Sequence, residues 1–276
     1  MRSQLLSAFN HVIEYTSMAD EPRLALFIDF ENIALGATQA KLEDFEIQRV
    51  LERLVEKGKI VVKKAYADWT AYKKFKQPLH EAGIELIDIP QRSYSGKNSA
   101  DIKMVVDAMD LCNSKEHINH FVLASGDSDF APLVSKLKEN NKTVIGVGVR
   151  SSTSELLSSN CDEFIFYDDL VNQPSSSKAA SKLSNLPKKK HKAFEMVLDA
   201  IEALRREDKE VLWSSMIKQT IKRKQPSFNE GAYGYSSFSE LVEDGAGMGL
   251  FKIAKDEKSG SYIITELARG GANRPR

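Results

Sequence analysis

The sequence has few cysteines and no long apolar run, and each absence excludes a class of protein. Its two cysteines, Cys112 and Cys161, have a spacing that fits neither a disulfide framework nor a metal site. We interpret both as core or surface thiols, which predicts a reducing, cytoplasmic location. No segment approaches the roughly 18 consecutive apolar residues of a membrane span. The first 22 residues also lack the apolar stretch of a signal peptide, so no membrane partner is expected.

A net charge of either sign is also absent, but the zero total conceals an asymmetry. Residues 1–172 carry 20 Lys and Arg against 26 Asp and Glu, and residues 173–276 carry 19 against 13. The first part is therefore −6 and the second +6. An acidic part that binds cations beside a basic part that attracts a polyanion would explain the division, and ordinary surface variation would explain it equally well.

Strand and helix patterns alternate along the first part of the chain. The strand-like runs are near-continuously apolar, which is typical of strands covered on both faces. The order predicts an α/β fold with a doubly wound, mostly parallel sheet. The predicted strands are 24–29, 60–67, 84–89, 121–124, 143–149 and 164–167, and the predicted helices are 45–57, 71–82, 100–112, 130–140 and 154–159.

A Ser/Lys-rich stretch then interrupts the apolar pattern and has the composition of a flexible linker. Beyond it, apolar residues at 194, 197, 198, 201 and 204 indicate one face of a helix. Helices near 212–222 and 238–242 and a strand pair at 251–254 and 262–265 predict a small winged-helix-like domain, a type that often binds nucleic acid. The predicted limits are 1–22 for an N-terminal extension, 23–172 for the first domain, 173–190 for the linker, 191–268 for the second domain and 269–276 for a tail.

Four aspartates lie at or near the predicted ends of strands. Asp29 ends the first strand, Asp101 opens a helix, and Asp127 and Asp129 follow the strand at 121–124. The carboxyl ends of strands line the ligand crevice in open α/β sheets, so these carboxylates can converge on Mg²⁺ or Mn²⁺. Each also has a structural explanation, either as a helix cap or as a first-turn carboxylate favoured by the helix dipole.

The loop around Asp127 is the most specific of these segments. Gly126 permits a tight turn after a buried strand. Ser125, Ser128 and the neighbouring N–H groups would then surround a hydrated metal and a phosphate. A helix cap would explain one residue of this loop but not the whole group.

Several polar residues near the aspartates are candidates for supporting roles. Asn32 would orient a phosphate oxygen, bond to Asp29 or form a turn. Lys97 and Lys103 would contact phosphates or remain solvated, and Ser99 is expected to cap the helix that carries Asp101. Asp107, six residues after Asp101 on the same helix, is a candidate supporting residue behind the metal ligands.

Three segments resemble, in order, the motifs of the NYN family, PIN-like ribonucleases that include the LabA-type proteins. They are FIDFENI at 27–33, SADI at 99–102 with the helix through Asp107, and SGDSDFAPL at 125–133. The resemblance covers residues 23–172. It implies a parallel sheet with a Mg²⁺ or Mn²⁺ site and endonucleolytic action on RNA, carried by the four aspartates with assistance from Asn32.

The second domain is similar to the LOTUS or OST-HTH domain, which is associated with RNA binding. The similarity lies in YSSFSELV at 235–242, GLF at 249–251 and YII at 262–264. Clustered cations would supply contacts to phosphates, or would simply form a solvated helix face. They include Lys218, Lys222, Arg223 and Lys224.

These observations predict a metal-dependent endoribonuclease that hydrolyses RNA phosphodiester bonds with metal-activated water. Its partner is expected to be single-stranded RNA or structured RNA with unpaired segments, and a homodimer is left open. One alternative is a non-catalytic RNA-binding regulatory protein. Another is a phosphatase of the haloacid dehalogenase type, whose first strand carries a second Asp where this chain has Glu31.

Overall fold

The computed structural model describes residues 21–42, 45–89, 98–172, 183, 186–209, 211–257 and 259–267. The chain divides into two compact units, the first ending at Val171 and the second beginning at Asn172, with Glu52–Lys57 grouped with the second. Residues 1–20 of the predicted extension, most of the predicted linker and the predicted tail lie outside the described residues. The predicted domain limits therefore remain predictions.

The first unit contains a six-stranded sheet in which all neighbouring strands are parallel, in the order β3-β2-β1-β4-β5-β6. This confirms the predicted α/β class and doubly wound topology. Because the strand order reverses between β1 and β4, the carboxyl ends of these two strands form the switch point where such sheets bind ligands. The strands are β1 Arg23–Asp29, β2 Lys59–Ala67, β3 Glu85–Asp88, β4 His120–Ala124, β5 Thr143–Gly148 and β6 Glu163–Phe166.

Helices connect these strands. They are α1 Phe30–Gln39, α2 Ile47–Lys57, α3 Lys73–Glu81, α4 Ser99–Ser114, α5 Ala131–Glu139, α6 Glu155–Asn160 and α7 Tyr167–Val171, with 3₁₀ turns at Ser128–Phe130 and Arg150–Ser152. None of the helices in the described part of the chain combines the length and apolarity needed to cross a bilayer.

Helix α1 is absent from the sequence prediction, and its position matters because it follows Asp29 directly. Its buried residues include Phe30, Ile33, Ala34 and Ala37, at the spacing of one helix face. Three small residues, Ala34, Gly36 and Ala37, and a length of 10 residues give this face little apolar signal. The helix forms because Asp29 caps it and the sheet buries it.

The core of the first unit is built around β1. Residues 24–28 of this central strand are fully buried. The rings of Phe27 and Phe121 on adjacent strands stack with centroids 6.1 Å apart. Burial of this apolar surface fixes the register of β1 against β4 and thereby the position of the residues that follow both strands.

The second unit has three α-helices and a small antiparallel sheet in its described part. The elements are α8 Lys188–Arg206, β7 Leu212–Trp213, α9 Ser214–Lys224, α10 Phe238–Gly247, β8 Phe251–Lys255 and β9 Tyr262–Leu267, with a 3₁₀ turn at Glu230–Tyr233. The apolar face predicted for the first helix is buried on α8. The start predicted for the second helix is wrong, because Leu212 and Trp213 pair with β9 as a short strand.

Candidate active site

Asp29 lies at the carboxyl end of β1 and is almost completely buried, with 7% of its surface exposed. Its side chain accepts hydrogen bonds from the backbone N–H of Asn32, at 3.2 Å, and from the hydroxyl of Ser125, at 2.9 Å. Burial raises the pKa of Asp29 to about 6, and the charges of Asp101 and Glu31 act in the same direction against the two hydrogen bonds. A buried carboxyl of this kind is a strong candidate for a functional group.

Two hydrogen bonds join the ends of β1 and β4. Besides the bond from Ser125 to Asp29, the side-chain oxygen of Asn32 accepts the backbone N–H of Gly126 at 2.8 Å. Ser125 also accepts the N–H of Asp127 at 3.2 Å. Asn32 and Ser125 therefore position the loop that carries Asp127.

The predicted direct contact between Ser125 and substrate does not fit this arrangement. The side chain of Ser125 is fully buried, and its hydroxyl is occupied by Asp29 and Asp127. The residue follows β4 on the side that faces β1, so its hydroxyl points into the protein.

Gly126 is required by close packing rather than by its backbone angles. A Cβ at this position would overlap the backbone carbonyl of Ser152, in the loop after β5. The carbonyl oxygen of Gly126 also accepts the N–H of Ser154 at 2.8 Å. Three loops, after β1, β4 and β5, are thus held together through one glycine.

Asp101 joins this edge from helix α4. It lies in the first turn, as predicted, although the helix is capped by Asn98, without a side-chain hydrogen bond, rather than by Ser99. Burial raises the pKa of Asp101, and the negative charges of Asp127, Asp129 and Glu31 raise it further. We call Asp29, Asp101, Asp127 and Asp129 the carboxylate edge, because each is within electrostatic range of at least one other.

Asp127 and Asp129 are more accessible than Asp29. Asp127 caps the 3₁₀ turn that follows β4, where its Oδ1 accepts the N–H of Asp129 at 2.9 Å. Asp127 is half-buried and Asp129 is exposed, as expected for groups that meet a ligand from solvent. Ser128, between them, is half-buried, so its predicted contact with substrate remains a prediction.

Two other predicted residues, Lys103 and Asp107, bond to each other. Lys103 donates to Asp107 at 2.7 Å, and Asp107 also accepts the hydroxyl of Tyr66 at 2.8 Å. Burial would raise the pKa of Asp107, but these hydrogen bonds hold it below its usual range. Asp107 therefore holds Lys103 and Tyr66, and its predicted place behind the metal ligands stays a prediction. Lys97 lies outside the described residues.

Sequence reasoning missed two residues at this edge. Glu31 raises the pKa of both Asp29 and Asp101, and its Oε1 accepts the backbone N–H of Asp68 at 2.9 Å. Tyr72 lies within range of the same charges, because its pKa is raised by burial and then by Glu31 and Asp29. Glu31 lies between Asp29 and Asn32 in the sequence and could have been added to the candidate site residues. Nothing in the sequence places Tyr72 near Asp29.

The carboxylate edge has the oxygen donors that Mg²⁺ and Mn²⁺ prefer, but they are not drawn together. Among the described residues, no three His, Cys, Asp or Glu side chains are grouped closely enough to hold a metal ion. Carboxylate oxygens are therefore suitable ligands for a hard divalent cation. In the described part of the chain, however, they are not close enough together to coordinate one ion.

In the second unit, three of the four cations predicted to bind RNA already have side-chain partners. Lys218 pairs with Glu230 and Lys224 with Asp199, each at 2.8 Å. Arg223 donates to the hydroxyl of Thr220 at 3.1 Å. Lys222, in the last turn of α9, is exposed.

Comparison with known proteins identifies a family for each part of the chain. A model of the NYN domain matches residues 23–169, more than half of the chain. A model of the OST-HTH/LOTUS domain matches residues 194–261. The two matches fall on the parallel-sheet unit and on the winged-helix-like unit.

Two individual proteins are similar to about half of the chain. An uncharacterized protein of Methanocaldococcus jannaschii is 30% identical over 145 residues, which cover 52% of this chain and 55% of that protein. The chain thus spans about half the length of this relative. The crystal structure of a protein of unknown function from Vibrio parahaemolyticus is 25% identical, with a TM-score of 0.49, and the match covers 55% of this chain and 97% of that one.

Proposed function

The chain belongs to the NYN domain family, and from that premise we propose that it is a metal-dependent endoribonuclease. The family lies within the PIN-like nuclease superfamily of hydrolases, and the OST-HTH/LOTUS domain indicates RNA binding. In the proposal the carboxylate edge hydrolyses RNA phosphodiester bonds, and the second domain holds the RNA.

The observation that carries the proposal is the charge environment of Asp29 and Asp101. The pKa of each is raised by burial and by other carboxylates. Asp29 lies at the carboxyl end of β1, next to the topological switch point where an α/β sheet binds its ligand, and Asp101 comes to it from the first turn of α4. Gathering negative charge at this place works against stability, and a cation bound from solvent would relieve the repulsion.

We infer that the cation is Mg²⁺ or Mn²⁺, since the superfamily generally uses divalent metals and the donors are carboxylate oxygens. Asp29, Asp101, Asp127 and Asp129 would hold it through carboxylate oxygens. When bound, the metal lowers the pKa of a water molecule and neutralises charge that develops on the phosphate. Assembly of the four carboxylates around it is part of the proposal.

The residues of the chain have separate roles in this proposal. Asp29 is kept in one orientation by Asn32 and Ser125, each of which bonds to a different carboxylate oxygen. Asp127 uses one oxygen to cap the turn, and the other remains for a ligand. Gly126 keeps the loop against the backbone after β5, so the spacing between Asp29 and Asp127 is rigid.

The second unit would hold RNA by sequence-independent contacts to phosphates. Lys222 is the predicted cation that is exposed without a described ion pair, and we place it in this contact. The ion-paired Lys218 and Lys224 would contribute only after exchanging Glu230 and Asp199 for phosphates.

The test compares the purified full chain with Asp101→Asn on labelled single-stranded and structured RNA, with Mn²⁺, Mg²⁺ or EDTA. Cleavage should require the metal and fall by about 100-fold or more in Asp101→Asn, because a bound metal contributes several kcal/mol to the transition state. Asp110→Asn is the matched control, since Asp110 is an exposed carboxylate on the same helix.

An Asp101→Asn variant that cleaves as fast as the wild type would contradict the proposal. Binding of RNA by all three proteins, with no cleavage under any metal condition, would favour the non-catalytic RNA-binding protein instead. That alternative draws on the absence, in the described residues, of a closed set of three metal ligands.

A further inference from the structure

A groove lined largely by apolar and aromatic side chains lies between α1 and the start of α3, with a volume of about 420 Å³. Its walls include Leu35 and Thr38 from α1 and Tyr72, Lys74 and Phe75 around the start of α3. We call these five residues the aromatic groove. Leu35 is 56% exposed, so its side chain is accessible to a ligand in the groove.

One buried ring links the aromatic groove to the residue that follows Asp29. Phe30 follows Asp29 in the chain and is fully buried. Its ring contacts the rings of Tyr72 and Phe75, with centroids 5.4 and 5.0 Å apart. The groove residues Tyr72 and Phe75 therefore pack against the residue directly after Asp29.

Tyr72 is the groove residue within electrostatic range of Asp29. Its hydroxyl titrates in the field of Glu31, Asp29 and Asp68, which raise its pKa together with burial. A ligand bound in the groove beside Tyr72 would therefore lie close to the carboxylate edge. The groove is short, so its occupant is about the size of one or two planar rings.

The charge of α3 differs from that of the carboxylate edge. The segment AYKKFK at 71–76 alternates aromatic and cationic residues. Lys74 lines the groove, with its Nζ 4.8 Å from the centroid of Phe75, and Lys73 and Lys76 are exposed on the same helix. Aromatic faces beside lysines are the combination that proteins use to hold single-stranded nucleic acid, with a base on the ring and phosphates on the cations.

We propose that the aromatic groove binds one unstacked nucleobase of a single-stranded RNA whose neighbouring phosphate lies at the carboxylate edge. The inference rests on the proposed function for the identity of the polymer. Tyr72 provides the stacking face, Leu35 covers the opposite side, and Lys74 contacts the adjacent phosphate. A base paired in a duplex cannot enter, so the groove selects unpaired segments.

The experiment uses the full chain and short single-stranded RNAs in which 2-aminopurine replaces one base at a time. Stacking on an aromatic ring quenches 2-aminopurine fluorescence, so the readout reports one position and is insensitive to RNA held elsewhere by the second domain. Titrations are carried out in EDTA to prevent cleavage. Quenching should be concentrated at one or two positions of the RNA.

Four variants test the groove residue by residue. Tyr72→Ala should raise the half-saturation concentration for quenching by roughly 5-fold or more, since removing a stacking ring costs about 1–3 kcal/mol per base. Tyr72→Phe keeps the ring and should bind as the wild type does, whereas Tyr72→Leu keeps apolar volume without the ring and should not. Leu35→Ala should weaken quenching, and Leu156→Ala, a leucine of equal exposure at 57% on α6, should leave it unchanged.

Several outcomes would overturn the inference. Equal quenching at every position, or unchanged quenching in Tyr72→Ala, would show that no base occupies the groove. Normal quenching in Tyr72→Leu would show that stacking is not involved. If a second copy of the chain covers the groove instead, Leu35→Ala and Tyr72→Ala would change the mass measured by light scattering and leave quenching unaltered.

Cleavage assays with Mn²⁺ on the same preparations separate this inference from the proposed function. Cleavage without position-specific quenching would overturn the base site alone. Position-specific quenching without cleavage would support the base site and contradict the nuclease.

Discussion

Two carboxylates of the first unit, Asp29 and Asp101, have environments opposite to those of Glu230 and Asp244 in the second unit. In the first unit, burial and other carboxylates raise the pKa of Asp29 and Asp101. In the second unit, a hydrogen bond from Lys218 lowers the pKa of Glu230. Burial would raise the pKa of Asp244, but hydrogen bonds from Lys190 and Tyr235 hold it below its usual range.

Under the proposed function, the difference separates charges that stabilise a fold from charges that are arranged for a ligand. Glu230 and Asp244 have cationic partners supplied by the chain itself, each at 2.8 Å. The carboxylates at the end of β1 and in the first turn of α4 instead meet one another. Cations of the chain itself stabilise the ionised forms of Glu230 and Asp244. The carboxylates of the carboxylate edge would gain such stabilisation only from a cation bound from solvent.

The largest expected effect is a stabilisation of the first unit alone by Mn²⁺. A ligand that binds only the folded state stabilises it by about 2.7 kcal/mol at 100 times its Kd. Trp69 lies in the first unit and Trp213 in the second, and the chain has two tryptophans, so Trp213→Phe and Trp69→Phe each leave one reporter. Unfolding followed by Trp69 should shift with Mn²⁺, and unfolding followed by Trp213 should not.

Asp101→Asn should remove this shift, and Asp244→Asn should retain it. An equal response of both tryptophans to Mn²⁺ would place the metal elsewhere and remove the distinction between the units.

A smaller effect on the free energy of unfolding, of opposite sign in the two units, is expected when one carboxylate in each unit is replaced by an amide. The comparison is made without divalent metal. At about pH 7.5, Asp29→Asn should stabilise the first unit by about 1 kcal/mol, because a buried charge disappears at the expense of one accepted hydrogen bond. Asp244→Asn should destabilise the second unit by about 1 kcal/mol, because Lys190 and Tyr235 lose their anionic acceptor. Urea unfolding of the single-tryptophan proteins measures both.

Asp29 and Asp244 should also differ in how their contributions to stability depend on pH. The folded pKa of Asp29, about 6, is above its usual 3.8, so its contribution to stability is complete below 3.8 and is lost as the pH rises through 6. The folded pKa of Asp244 is lowered, so its contribution is present above its usual 3.8 and is lost as the pH falls below that value. Wild-type and Asp29→Asn proteins that lose stability in parallel between these values would contradict the assignment.

The smallest effect distinguishes the lysines within the second unit. Lys222→Ala should reduce the slope of log affinity for single-stranded RNA against log salt by about 0.7, the change expected for one phosphate contact. Lys218→Ala should change that slope less and should destabilise the unit by up to about 1 kcal/mol, because Glu230 loses its partner. Filter binding at several salt concentrations measures the slopes, and the reverse result would exchange the roles of the two lysines.

The sheet was predictable because its strands carry strong signals. Buried parallel strands such as β1 and β4 are apolar along their whole length, and the alternation with helices permits few topologies. Helix α1 was missed because a helix held by a cap and by small residues against a sheet leaves little periodicity. Leu212 and Trp213 were assigned to a helix because their pairing with β9 depends on residues about 50 positions away.

The candidate site was predictable in part for the same reason. Parallel topology brings the strand ends together, and therefore Asp29 and Asp127, whatever the details of the loops. The direction of a side chain within that edge depends on packing, so the burial of Ser125 and the pairing of Asp107 with Tyr66 required the structure. The position of Tyr72 also required the structure, because it depends on the packing of its ring against Phe30, the residue after Asp29.

The position of β1 in the middle of the sheet has a consequence for biosynthesis. Asp29 and Ser125 are 96 residues apart in the chain, and β4 must insert beside β1 before they meet. A nascent chain that has released β1, β2 and β3 from the ribosome therefore carries an aspartate without its companions. Under the proposed function, the enzyme stays inert toward the messenger being translated until β4 and the turn after it have emerged.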